Sequence, residues 1–165
     1  MKPVSINQIS VENFIDSLMD AFREGDPDAL SKTTEAENVR HLQEQYRAIA
    51  RGDFGPVVAG LDEDIDMEMI GPSEIPLVGH WRGRERVAEA IQRNFSLLAD
   101  QQAEILAVVA QGDMVVLFAR EQGVFRATGK RYDIHWAQWF TFRDGKIIRF
   151  RGLLDSAAML DAVRS

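Results

Sequence analysis

The chain predicts an α+β fold built on a mainly antiparallel sheet, and three observations carry that prediction. Helical periodicities fill the first part, broken by a single alternating strand. The last third is a run of strand patterns separated by short turns. No regular strand–helix–strand alternation of the kind that builds parallel sheets occurs. At 165 residues the chain suits one domain with a core of its own.

The elements follow in order. Ser10 can cap a first helix, with Val11, Phe14, Leu18 and Phe22 on one stripe and Gly25 to end it. Asp26 and Pro27 are a second helix start. "SKTTEAEN" is polar and reads as a connector. The next helix is expected from about Asn38, with Val39, Leu42, Tyr46 and Ile49 inward and Gly52 closing it. Asp53 opens a short helix through "FGPVVAGL". "DIDMEMI" alternates, with Ile65, Met67 and Met69 on one face and Asp66 and Glu68 on the other, the mark of a half-buried strand. "GPSEIPLVGHWRG" is punctuated as a loop. A long helix follows, with Val87, Ile91, Phe95 and Leu98 inward. Then comes a meander: "AEILAVVAQ", a Gly112-Asp113 turn, "MVVLFAREQGVFRAT", "YDIHWAQWFTF" and "KIIRFRGLL". A short helix capped by Asp155 ends the chain.

Composition narrows the function classes. Hydrophobic residues make up 45% and charged residues 27%, an ordinary globular balance. A formal net charge of -7 argues against nucleic-acid or anionic-membrane partners, which need clustered Lys and Arg. Without cysteine there are no disulfides, Cys-ligated zinc or thiol catalysis. "MKPVSINQIS" has no apolar core of a secretory signal and no apolar run can span a bilayer, so a cytoplasmic protein is expected. The three His, at 41, 80 and 135, show no metal-ligand spacing, and Asp64, Asp66 and Glu68 read as a solvated strand face; no metal and no cofactor is expected. "TGK" and "RGRE" lack the surroundings of a phosphate loop.

The aromatic hairpin "HWAQWFTFRDGKIIRF" poses the sharpest question. A three-residue loop with Gly145 in a bulge would place Phe140 opposite Ile148, Gln138 opposite Phe150 and Trp136 opposite Gly152. One apolar face then holds Ile134, Trp136, Phe140, Phe142, Ile148, Phe150 and Leu154, while Asp133, His135, Thr141, Arg149 and Arg151 face away. Gln138 falls on the inner face, among aromatics. A buried carboxamide without partners costs roughly 1–3 kcal/mol, so it bonds either to the protein or to a ligand.

Pro76, Gly79 and Gly83 before the long helix, "QGDMVV", "TGKRYDIHWAQWFTFRDGKI" and "RFRGLLDSAAML" together resemble the SnoaL-like branch of the nuclear transport factor and ketosteroid isomerase superfamily. The resemblance covers about residues 38–163. It implies a cone domain at 38–165, a curved sheet wrapped on helices around an apolar pocket, with residues 1–37 as an added helical arm. It also implies a homodimer packed through the sheet and a small apolar molecule as ligand. Its enzymes are cofactor-free isomerases, cyclases and hydrolases, and some members do no chemistry. Many relatives carry His where this chain has Gln138, which cannot take a proton at neutral pH but can orient a carbonyl or hydroxyl.

The candidate residues follow from both readings. Asp155 matches an Asp common in the resembled family and is a proton-transfer candidate, though its position reads first as a helix cap. Gln138 is the candidate orienter and Tyr46 a candidate hydrogen-bond donor, or core. Met67, Trp81, Phe95, Phe118, Trp136 and Phe150 are candidate pocket walls. His135 is expected on the outer face, and His80 in a solvated loop. Asp66 and Glu68 read as surface charge rather than an acid–base pair. The two function classes left open are a cofactor-independent enzyme and a non-catalytic binding or dimerisation module.

Overall fold

The computed structural model describes residues 34–165. The expected elements around Val11–Phe22, Gly25 and Asp26–Pro27 lie outside the described residues. Helix α1 spans Thr34–Ala50. It begins four residues before the expected start. The polar stretch there carries Glu35 and Glu37, and acidic groups in a first turn are stabilised by the helix dipole. The helix crosses the expected 37/38 boundary without a break. Val39, Leu42 and Ile49 are buried and Tyr46 half-buried, so the inward stripe is as the periodicity has it. Gly52, with φ of 71°, turns the chain. The side chain of Asp53 accepts from the Gly55 N–H at 3.0 Å just ahead of α2, Gly55–Gly60, whose cap position is Phe54 rather than the expected Asp53.

Strand β1, Leu61–Ile70, buries Ile65 and Met67 and turns Asp66 outward. A second strand, β2, Gly79–Arg82, replaces the loop expected around His80 and Trp81. It is too short for a visible alternation, and it forms because it pairs with β1: Asp66 lies opposite Arg82, Met67 opposite Trp81 and Glu68 opposite His80. Helix α3, Arg84–Ser96, buries Val87 and Ile91. Leu98 is buried as the first residue of β3, Leu98–Gln111, not as the end of the helix. The meander continues with β4, Met114–Phe125, β5, Lys130–Arg143, and β6, Lys146–Leu154, and closes with α4, Ser156–Val163.

Among the described residues the strands form one curved, unclosed sheet in the order β2-β1-β6-β5-β4-β3. Every pairing is antiparallel except β1 with β6. Irregularities in β3, between Ala99 and Gln102 and between Ile105 and Ala107, bend it where a regular ladder would run straight. One core lies between the sheet and α1, α2 and α3, and holds Leu42, Ile65, Leu117 and Phe140. A second gathers Ile75, Leu77, Phe125, Tyr132 and Met159 where α4 docks.

The β5–β6 hairpin differs from the expected register. Arg143 pairs with Lys146, so the turn is the two residues Asp144 and Gly145, with φ of 51° and 72°. That is the mirror-image turn whose twist suits a hairpin. The extra residue sits deeper, at Ile148, between the Phe142–Ile147 and Thr141–Arg149 pairs. Phe140 therefore faces Phe150, Gln138 faces Gly152 and Trp136 faces Leu154. Ile147, not Ile148, is the buried one. The shift from the expected pairing is two residues, an even number, so every β5 side chain keeps its expected face.

Candidate functional site

The inner face of the sheet and the helices α1 and α3 enclose a cavity of about 170 Å³. Its wall is mostly apolar: Leu42 and Ile49 from α1, Ile91 and Phe95 from α3, Met67 and Met69 from β1, and Trp136, Phe140 and Phe150 from β5 and β6. Gln45 and Asn94 interrupt it singly, and two polar groupings interrupt it further.

The first joins α1 to β5. The Tyr46 hydroxyl donates to Gln138 Oε1 at 2.8 Å. Among the described residues the Gln138 amide N–H₂ makes no further hydrogen bond, and it stands on the cavity wall. Gly152 is what lets this corner close: a Cβ there would lie 2.6 Å from the Met69 thioether and 3.6 Å from Gln138 Cγ. Burial pushes the Tyr46 phenol above its ordinary pKa, and the negative charge of Glu121 pushes it further the same way. Tyr46 thus stays a proton donor at neutral pH.

The second grouping is a buried carboxylate. Glu121, 8% exposed, lies on the inner face of β4 and on the cavity wall. Its Oε1 accepts from the Tyr132 hydroxyl at 2.7 Å and from Gln101 Nε2 at 3.1 Å; its Oε2 accepts from Trp136 Nε1 at 2.9 Å. Tyr132 reaches it by lying across Gly123, its pairing partner, where a Cβ would come within 2.4 Å of the hydroxyl. Burial, and then the adjacent Glu121 charge and hydrogen bond, raise the Tyr132 phenol as well.

The structure brings Tyr46, Gln138, Met67, Phe95, Trp136 and Phe150 together on this wall. Three other candidates are elsewhere. Phe118 is 43% exposed on the opposite face of β4, because the alternation that buries Leu117 and Ala119 sends it outward. Trp81 packs against the main core and folds over Gly79 instead of lining the cavity. Asp155 is exposed, and its Oδ1 accepts from the Ala158 N–H at 3.3 Å as the N-cap of α4. Its neighbours Leu154 and Met159 line the cavity; its carboxyl does not.

Sequence reasoning missed Glu121, and a signal for it existed. The "VVLFAREQGVF" strand buries every second residue from Val115 to Phe125, and Glu121 falls on that beat.

On the outer face, Asp66 gathers His80 at 2.9 Å, Arg82 at 2.7 Å and Arg151 at 2.5 Å. Burial works against its ionisation, yet these hydrogen bonds and the Arg151 charge outweigh it and hold the carboxyl at about 2. His135 is exposed on that same face. Among the described residues no cluster of three His, Cys, Asp or Glu is placed to hold a metal. No described helix is long and apolar enough to cross a membrane.

Comparison with known proteins agrees with this architecture. An NTF2-like protein from Burkholderia xenovorans is 26% identical, covering 81% of this chain and 100% of its own, with a TM-score of 0.70. Bal32a, from a soil-derived mobile gene cassette, is 24% identical over 80% of this chain and 100% of its own, with a TM-score of 0.69. An LEH-like epoxide hydrolase from M. tuberculosis is 21% identical over 79% of this chain and 92% of its own, with a TM-score of 0.62. A comparison with curated proteins found no match. The SnoaL-like domain model matches residues 42–150, which contain α1 from Leu42, the long helix and the strands that wall the cavity, and the chain therefore belongs to the SnoaL-like domain family.

Proposed function

We propose that this protein binds a small, largely apolar cyclic or carbonyl-bearing molecule in the cavity and acts on it without a cofactor, by general acid–base chemistry. The observation that carries the reading is the wall itself: aliphatic and aromatic over most of its area, with a free amide donor at Gln138 and a carboxylate at Glu121. A few placed polar groups in an apolar cavity are how small-molecule sites fix orientation. Tyr46 holds Gln138 in one orientation by donating to its oxygen, and the Gln138 amide N–H₂ points a carbonyl or hydroxyl. The carboxylate on the wall, Glu121, takes the proton-accepting place in this reading, with Asp155 as a cap. A cytoplasmic homodimer joined through the outer sheet face completes it; Val109, Phe118 and Leu153 leave that face apolar and exposed.

A second reading, a binding module without chemistry, draws on one observation. Glu121 already accepts three hydrogen bonds, so most of its acceptor positions are taken by the protein's own donors. Native mass spectrometry with organic extraction, followed by thermal shift against cyclic enones, lactones and epoxides, tests the shared part. A carried molecule, or a saturable rise in Tm, supports the cavity as a working site. An empty protein that none of these compounds stabilises overturns it. Turnover of whichever compound binds then separates enzyme from binding module.

A further inference from the structure

Glu121 is the one charged residue on the cavity wall among the described residues. Its three partners, Tyr132, Gln101 and Trp136, are all neutral, and among the described residues no cation pairs with it. Two other sheet carboxylates are treated differently. Asp66 is met by Arg82 and Arg151, and Asp133 by Arg120 at 2.6 Å, although both lie nearer to solvent. Among the described residues the most enclosed carboxylate is thus left without a counter-charge. Burying a charge so is costly unless something repays it.

The hydrogen bonds on Glu121 are also unevenly divided. Oε1 accepts two and Oε2 accepts one. A carboxylate has about four acceptor positions, two on each oxygen. One position on Oε2 is therefore open. Four residues along the same ladder, Gln138 offers the opposite polarity, an unengaged N–H₂. Trp136 lies between them on β5, opposite the small Ala119. A flat ring stacked there would have an acceptor at one end and a donor at the other.

We infer that Glu121 makes the cavity selective for ligands carrying an O–H or N–H donor, neutral or cationic, seated against Oε2, and that it rejects carboxylates and other anions. This rests on the reading of the cavity as a small-molecule site and names the chemistry of what enters it. An anion would meet a like charge in a mostly apolar cavity with no cation on its wall among the described residues, and juxtaposed like charges are unfavourable. A donor gains a charge-assisted hydrogen bond, among the stronger kinds. If Glu121 only braced Tyr132 and Trp136, the cavity would rank ligands by shape and not by charge.

The test uses four naphthalene probes of nearly one shape: naphthalene, 2-naphthol, 2-naphthylmethylamine and 2-naphthoic acid. The cavity, at about 170 Å³, is of the size that takes such rings; an apolar cavity of about 150 Å³ holds benzene. Titration of the full chain at pH 7, followed by tryptophan fluorescence and by Tm, should rank 2-naphthol and the amine about tenfold tighter than naphthalene. 2-Naphthoic acid should bind weakest. Glu121→Gln should erase most of the amine's advantage and admit the acid. If the unsubstituted protein binds the acid as well as the alcohol and the amine, Glu121 does not select and the inference falls while the cavity stands. If no probe binds at all, the cavity reading fails, and this inference with it. The ranking by the unsubstituted protein decides the matter even if Glu121→Gln does not fold.

Discussion

The hydroxyl of Tyr46, on α1, donates to the carboxamide of Gln138, on β5, at 2.8 Å across 92 positions of sequence. This bond ties the helix to the middle of the sheet at the cavity wall. Tyr46→Phe removes the donor and leaves the Gln138 oxygen without it. The expected loss is about 1–3 kcal/mol, read as a lower urea midpoint at unchanged slope. In a Gln138→Leu background the same substitution should cost clearly less, because the group it orphans is gone. Equal costs in both backgrounds would mean that the bond contributes nothing to stability.

Gly123 exists as glycine because Tyr132 lies across it to reach Glu121. Gly123→Ala puts a methyl 2.4 Å from the Tyr132 hydroxyl, so the ring must move and the carboxylate loses a donor. Overpacking and a broken buried bond together should lower stability by about 1–3 kcal/mol. Near-ultraviolet circular dichroism should report the displaced tyrosine. In a Tyr132→Ala background the alanine should be close to neutral.

Asp155 starts α4, and its chemistry there is that of a cap. Asp155→Ala should cost about 1 kcal/mol of stability, seen as a lower Tm, whereas Asp155→Asn, also a good cap, should cost little. Ligand affinity should be unchanged in both. A folded Asp155→Asn protein that binds ligand yet has lost turnover would return the proton-transfer role to Asp155.

Asp66 predicts the acid limb of the stability curve. Its folded-state pKa of about 2 lies below the ordinary Asp value, so the folded state holds the proton less tightly than the unfolded chain. The resulting stabilisation is fully present above about pH 4 and is lost as pH falls from there through about 2. Asp66→Asn should flatten the pH dependence of Tm in that window and leave it unchanged in shape near pH 7. An unaltered acid limb would show that the His80, Arg82 and Arg151 contacts do not depend on the carboxylate's charge.

The outer sheet face carries Val109, Met114, Phe118 and Leu153, all exposed. Val109 pairs with Val116, and Phe118 with Ala137, so these residues are close across strands and form an apolar patch. If this face joins two copies, Phe118→Asp should convert a dimer to a monomer by light scattering, with secondary structure intact. A protein that is already monomeric before substitution would refute the dimer.

Local patterns were enough to place every strand but β2, the long helix and the inward stripes of α1 and α3. They also put Gln138 on the inner face, since a period of two or 3.6 residues encodes which side of an element is buried. Even the wrong turn at Asp144-Gly145 did no harm there, because the deeper irregularity at Ile148 restored the parity. Glu121 was legible by the same alternation but is masked by chemistry, as a carboxylate on a buried beat reads like an exposed residue. What only the tertiary structure decided is who meets whom. β2 exists because β1 offers it an edge and a row of carboxylates. Tyr46 finds Gln138, Tyr132 finds Glu121 across Gly123, and Asp155 turns away from the cavity that its neighbours line. These depend on strand register, on bulges and on the docking of elements far apart in sequence. A single chain's periodicity carries the faces of its elements; the partners across each face follow from how those elements pack.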